Sequence, residues 1–295
     1  MGKKKLRFAI FGNTYQARKS AAIQGVAACL RSHGSELLID RDLLDLLMRE
    51  RRGAPTGALP FDGDAFEADF AVSLGGDGTF LKTAVRVAEK ETPIIGVNTG
   101  RLGFLADVLP GDIETAFAAV YAGDYIVERH AALSAATVGH QIKGCPNALN
   151  DIAVLKRDNA AMITIHAAVN GRYLVTYQAD GLIVSTSTGS TAYSLSNGGP
   201  IIVPGTDTVT LTPVAPHSLS MRPIVMRGGS EITLRVESRS HNYLVAIDGR
   251  SETLPQDTAV VIRRAPFMTN IVRCCGRDYF QSLREKMHWG DDPRG

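Results

Sequence analysis

The spacing of the apolar residues changes partway along the chain, and that change limits the folds open to it. Up to about residue 125, short apolar runs alternate with segments of helical spacing. Residues 6–12 read as a buried strand, and residues 16–33 follow with Ala22, Ile23, Val26, Ala27 and Leu30 on one helical face. Residues 36–39, 69–74 and 93–97 read as further strands, and 42–51, 79–89 and 113–121 as helices. The stretch 53–63, with two prolines and three glycines, reads as a loop. Strands alternating with helices predict a mostly parallel sheet with right-handed crossovers, its ligand lying outside the carboxyl ends of the strands.

After Tyr125 the apolar residues recur every second position. Residues 162–169, 173–177, 231–236 and 244–247 are rich in Val, Ile, Thr and Tyr, with Asn170-Gly171 and Asp248-Gly249 as hairpin turn pairs. Residues 277–288 return to helical composition. The predicted organisation is an α/β domain with a mostly parallel sheet at 1–126, onto which 277–295 packs back, and a β-rich, sandwich-like domain at 127–276.

Composition excludes several function classes. A net charge of +2 gives no single-sign field for nucleic acid or an anionic membrane. Lys3, Lys4 and Lys5 read as a solvated terminus. The four cysteines, Cys29, Cys145, Cys274 and Cys275, form no C-x-x-C pair, so reduced thiols are expected rather than a zinc site or disulfide framework. No apolar run approaches the ~20 residues needed to span a bilayer, and the start lacks a secretory pattern. A cytoplasmic location is therefore expected.

Four motifs carry chemistry. The first is Gly75-Gly76-Asp77-Gly78-Thr79, between a predicted strand and helix. Amides at such a turn suit phosphate. A carboxylate there would be repelled by phosphate unless it accepts a proton from an attacking hydroxyl or helps hold Mg²⁺. A tight turn with Asp as a helix cap is the structural alternative. The Walker and dinucleotide-loop spacings are both absent.

The second motif, residues 98–104, begins with Asn98 and ends with Phe104; its polar head could hold a sugar and its aromatic bound a base, or it is a plain strand-to-helix loop. The third is Asn150-Asp151, a pair able to read ribose hydroxyls or an adenine edge, or simply a turn. The fourth runs from Asp180 to Tyr193 and carries six hydroxyl residues within the seven positions 185–191, a chemistry suited to sugars and amides. Its apolar flanks argue against a flexible linker. The seven histidines are scattered, and only His217 lies in a pointed stretch, where a structural role is as good a reading as any.

In this order and at these separations the four motifs resemble the NAD kinase family, over residue 70 to the C-terminus. The glycine turn is shared with a wider kinase superfamily; the 180–193 segment is more specific. The resemblance implies an enzyme that moves a phosphate from ATP to the adenosine-ribose 2′-hydroxyl of NAD, with Mg²⁺ or another divalent metal accompanying ATP. It implies Asp77 as general base, with Gly75, Gly76, Thr79 and Arg101 on the ATP-phosphate side. Gly78, Phe104, Asn150, Asp151, Gln178, Asp180, Thr188, Thr191, Ala192, Tyr193 and Ser196 would contact NAD. No residue is assigned as a direct metal ligand. A homodimer or homotetramer is implied as well.

Departures from the family pattern are Asp151 where Glu is usual, Ser187 where Pro is usual, and Arg101 at a variable position often held by His. Gln178 stands where a long polar residue accompanies preference for NAD over NADH. Two other readings compete: a lipid kinase of the diacylglycerol or sphingosine type, which the hydroxyl run argues against, and a non-catalytic NAD-binding regulator.

Overall fold

A computed structural model describes residues 5–12, 20–51, 53–100, 103–157, 161–274, 276 and 278–288. Its internal contacts divide the chain into one unit of residues 1–129 with 269–295 and a second of residues 130–268.

The first unit is built from β1 (Arg7–Gly12), α1 (Ser20–Ser32), β2 (Glu36–Asp40), α2 (Arg41–Arg49), β3 (Ala58–Phe61), β4 (Phe70–Gly75), α3 (Asp77–Val87), β5 (Ile94–Asn98) and α4 (Ile113–Ala122). Its strands lie in the order β5-β4-β1-β2-β3, all parallel. Of the helical face foreseen in the first helix, Ala22 stays partly exposed, while Ile23, Val26, Ala27 and Leu30 are buried. They share a core with Phe8 and Ile10 of β1, Leu37 and Ile39 of β2, Val72 of β4 and Phe117 of α4. Each of the Val, Leu, Ile and Phe side chains removed from water contributes about 1.5–3 kcal/mol.

The loop expected at 53–63 is corrected in one part. Residues 58–61 form β3, paired parallel to β2 with Leu38 beside Leu59 and Ile39 beside Pro60. Proline tolerates this position because β3 is the outer strand of the sheet and need not donate on its open side.

The second unit contains most of β6 (Ile126–Val138) and then β7 (Asn147–Ala148), β8 (Asp151–Leu155), β9 (Ile163–Val169), β10 (Arg172–Ala179) and β11 (Gly181–Thr186). Next come the single-turn α5 (Tyr193–Ser196), β12 (Thr208–Val214), β13 (Ile224–Arg227), β14 (Ile232–Glu237), β15 (Asn242–Ile247), β16 (Arg250–Pro255) and β17 (Ala259–Arg273). The end of β17 belongs to the first unit, where Ile271 pairs with Ile94 of β5, and α6 (Tyr279–Met287) follows there.

Within the second unit an antiparallel run β10-β9-β14-β17 and a six-stranded antiparallel sheet β13-β12-β11-β8-β15-β16 share one core. Ile165, Tyr177, Leu234 and Ile262 come from the first, and Ile152, Leu182, Val184 and Val245 from the second. This is the sandwich arrangement of two sheets closing on their apolar faces. The chain is thus an α/β part with a mostly parallel sheet joined to an antiparallel β-rich part. Both foreseen turn pairs close hairpins, with φ of 51° and 74° at Asn170-Gly171 and 46° and 77° at Asp248-Gly249. Positive φ at both positions is what a two-residue hairpin with right-twisting strands requires. Among the described residues, no helix is long and apolar enough to cross a membrane.

Candidate functional site

In the first unit the glycine turn sits where β4 ends and α3 begins, with Gly76 as the cap residue. The first amides of α3 therefore have no helical carbonyl to meet, and such a helix start accepts an anion. Gly75 and Gly76 belong to this turn and Gly78 to the first turn of α3. Thr79 is 6% exposed and tucked beneath the turn, so close that a Cβ on Gly75 would lie 2.2 Å from its hydroxyl. Its side chain faces the fold rather than open solvent.

Asp77, the first helical residue, turns its carboxylate onto the loop that follows β5. Phe104 N–H donates to Oδ2 at 2.9 Å, and the N–H groups of Leu105 and Ala106 donate to Oδ1 at 3.1 and 3.3 Å. The approach depends on Gly103, because a Cβ there would stand 1.9 Å from Asp77 Oδ1. The carboxylate still has 31% of its side-chain surface open, so a small partner can reach it. From α6, the Lys286 ammonium lies 3.7 Å from Oδ2 and 4.1 Å from the centre of the Phe104 ring. Tyr279 flanks the same ring at 6.1 Å.

Asn98, read as a polar head for a sugar, does something else. It is fully buried; its Oδ1 accepts from Gly100 N–H at 2.7 Å and its Nδ2 donates to the Ala106 carbonyl at 3.4 Å. The side chain closes the loop that meets Asp77. Arg101 lies outside the described residues.

In the second unit Asn150 ends the segment before β8 and Asp151 opens that strand. Their backbone is gripped by a residue the sequence presented only as a turn. The carboxylate of Asp248 accepts from the N–H groups of Leu149, Asn150 and Asp151 at 2.8, 2.9 and 3.1 Å, and its own N–H donates to the Asp151 carbonyl at 3.0 Å. Thr186 adds bonds to the carbonyls of Leu149 and Asn150 at 2.6 and 3.3 Å. Gly189 lies against the same peptide, where a Cβ would fall 2.1 Å from the Asn150 oxygen. Burial and the neighbouring Asp248 push Asp151 up to about 7, so at neutral pH it is present both as acid and as carboxylate.

The hydroxyl run is mostly turned inward. Ser185, Thr186, Ser187, Thr188 and Ser190 are all buried. Thr188 meets His130 Nδ1 at 2.7 Å, and Ser190 donates to the carbonyls of Ser187 and Ile202 at 2.7 and 3.1 Å. These groups stabilise a tight strand-to-helix passage more than they offer themselves to a ligand. Thr191 and Ala192 are partly open, and Tyr193 and Ser196 are exposed on α5.

Asp180 stands between β10 and β11, its Oδ1 2.8 Å from Lys156 Nζ while Lys156 N–H donates to its carbonyl at 2.8 Å. Gln178 and Lys156 line an open groove of about 950 Å³ together with Thr164, Glu237, Arg239 and Gln256. Among the described residues no group of three or more His, Cys, Asp or Glu is placed to hold a metal ion.

Sequence reasoning therefore missed Gly103, Lys286 and Asp248. Gly103 was visible as a glycine two residues after Arg101, but its partner Asp77 lies 26 positions upstream. The turn pair at Asp248 signalled a hairpin and gave no hint of its reach to residue 149.

Comparison with known proteins agrees with the expected family. Residues 61–125 match the ATP-NAD kinase N-terminal domain and residues 149–274 the ATP-NAD kinase C-terminal domain. An NAD kinase of Bacteroides fragilis is 51% identical over 289 residues, covering 98% of this chain and 100% of its own. One from Porphyromonas gingivalis is 40% identical, covering 96% of this chain and 98% of its own. Among solved structures, an Archaeoglobus fulgidus NAD kinase in complex with ATP is 26% identical with a TM-score of 0.72, covering 96% of this chain and 99% of its own. A yeast NADH kinase complexed with NADH shares the fold, with a TM-score of 0.88 at 20% identity over 99% of this chain and 89% of its own. The chain belongs to the ATP-NAD kinase family.

Proposed function

We propose that this chain makes NADP from NAD by moving the terminal phosphoryl group of ATP onto the 2′-hydroxyl of the adenosine ribose. The observation that carries the reading is the Asp77 carboxylate, held by three backbone amides beside an anion-accepting helix start and yet with 31% of its side-chain surface open. In the step itself the hydroxyl gives its proton to Asp77 as its oxygen attacks the γ-phosphorus. The bond from that phosphorus to the bridging oxygen breaks, and ADP leaves. A base fixed in this way is worth about 10²–10⁴ in rate.

Gly75, Gly76 and Arg101 take the triphosphate side, with turn amides meeting phosphate oxygens and the inward-facing Thr79 supporting the turn from beneath. Phe104 and Gly78 border the adenosine; Asn150 and Asp151 read its ribose and base. Thr191, Ala192, Tyr193 and Ser196 line the dinucleotide groove, with the buried Thr188 bracing it from behind through His130, Asp180 at the nicotinamide ribose or carboxamide and Gln178 biasing the choice toward NAD over NADH. The two parts of the chain divide this labour, 1–126 with 277–295 serving the phosphates and 127–276 the dinucleotide.

A divalent cation such as Mg²⁺ fits as a companion of the triphosphate, because that ion is usually held by phosphate oxygens and one or two carboxylates rather than by a protein cage. Asp77 is the carboxylate at the turn that would offer it an oxygen. When bound, the ion neutralises phosphoryl charge. A homodimer or homotetramer in the cytoplasm belongs to the same reading and rests on the family resemblance.

The test is phosphate transfer by the purified chain from ATP to NAD, to NADH and to diacylglycerol, with the product position read by phosphorus NMR. NADP phosphorylated at the 2′ position supports the proposal. Turnover of the lipid instead, or tight NAD binding with no product, overturns it.

A further inference from the structure

We propose that Arg273, at the end of β17, is the positioning residue for Asp77 and acts through two intervening peptide units; the inference rests on Asp77 being the base. The Arg273 side chain is only 16% exposed. Its Nη2 donates to the Phe104 carbonyl at 3.3 Å and its Nη1 to the Leu105 carbonyl at 3.2 Å. Each of those carbonyls shares a peptide plane with an N–H that donates to Asp77. The Phe104 carbonyl is joined to the Leu105 N–H, 3.1 Å from Oδ1, and the Leu105 carbonyl to the Ala106 N–H, 3.3 Å from the same oxygen. Cation, peptide and carboxylate are thus connected twice, in parallel.

A donor pulling on a carbonyl oxygen polarises its peptide and strengthens the N–H on the other side. The guanidinium fork does this to two adjacent carbonyls at once, which an ammonium cannot match. Two carboxylates aim the fork: Glu128 takes Nε at 3.0 Å, and Asp107, 4% exposed, lies 3.1 Å from Nη1. Burying the Arg273–Asp107 pair is costly unless its donors are used, whereas Glu128, 40% exposed, meets Arg273 from the solvent side. Here the donors left over point at the two carbonyls behind the Asp77 amides. Because Gly103 leaves no slack between loop and carboxylate, a small shift of the loop moves the base itself.

Arg273→Lys keeps the charge and loses the fork; Glu128→Gln frees one anchor while leaving the cation, and serves if the first variant folds poorly. Arg273→Lys is expected to lower kcat ten- to a hundredfold with KM for NAD and ATP within about twofold, and Glu128→Gln three- to tenfold. In an Asp77→Asn background the same substitutions should cost no further kcat, since the group they position is gone. Amide hydrogen exchange gives a second readout that needs no turnover: residues 104–106 should lose protection while β1 and β4 keep theirs. Unchanged kcat and unchanged protection, or a kcat loss that repeats in full in the Asp77→Asn background, overturns the inference. If the parent chain makes no NADP at all, the proposed function fails, while the exchange experiment still reports on the connection between Arg273 and the loop.

Discussion

Asp151→Asn is expected to make the protein more stable, and more so as the pH rises. The substitution keeps shape and volume at the buried start of β8 and removes only the ability to ionise. Burial, with the negative Asp248 nearby, raises Asp151 from 3.8 to about 7 in the folded protein. A raised carboxyl means that the folded state prefers the protonated form. The contribution of that preference is complete below about pH 4, where both folded and unfolded chains are protonated, and is lost as pH climbs to about 7. A shift of three units corresponds to about 4 kcal/mol at 1.36 kcal/mol per unit. Part of that loss is already incurred at pH 5, so the window from pH 5 to pH 8 holds roughly 2–3 kcal/mol. The assay is thermal or denaturant unfolding of parent and variant at pH 5 and pH 8. The advantage of the variant should widen by roughly 5–10 °C in Tm across that interval. An equal advantage at both pH values, or a parent that is the more stable at pH 8, would refute the reasoning.

Other perturbations follow from the same contacts. Gly103→Ala places a Cβ 1.9 Å from Asp77 Oδ1, so the loop must retreat and at least one of the three amide bonds must break; kcat for NADP formation should fall at least tenfold with little change in Tm. Asp248→Asn replaces one acceptor oxygen by a donor facing backbone N–H groups, which should cost about 1–3 kcal/mol in unfolding and raise KM for NAD. Lys286→Met removes the ammonium 3.7 Å from Asp77 and keeps apolar cover for Phe104, so kcat should change more than Tm, and an unchanged kcat would remove Lys286 from the site.

The fold class was legible because its signals are local. Ile23, Val26, Ala27 and Leu30 mark a helix face, and Asn170-Gly171 and Asp248-Gly249 mark hairpins, without knowledge of anything distant. β3 was hidden because Pro60 is a poor strand residue everywhere except at a sheet edge, and edge position is a property of the assembled sheet. The 15-residue β17 was hidden for a related reason: Arg263, Arg264 and Pro266 interrupt its apolar alternation where the strand is exposed.

For the candidate site, glycines and carboxylates beside strand ends announced Asp77 and Asn150, but their partners could not be read. Arg273 reaches Phe104 across 169 positions, and Asp248 reaches Leu149 across 99. The hydroxyl run misled in an instructive way. Composition counts Ser and Thr but does not say which face them inward, and most of these hydroxyls belong to the packing of the passage from β11 to α5.

The most direct measurement compares NADP formation by the parent chain and by Asp77→Asn, with NAD and ATP binding followed in the same preparations. If one oxygen pair on the glycine turn takes up the ribose proton, the variant binds both substrates about as well and turns over at least a hundredfold more slowly. Product formed at the parental rate by a chain carrying the amide would contradict the account.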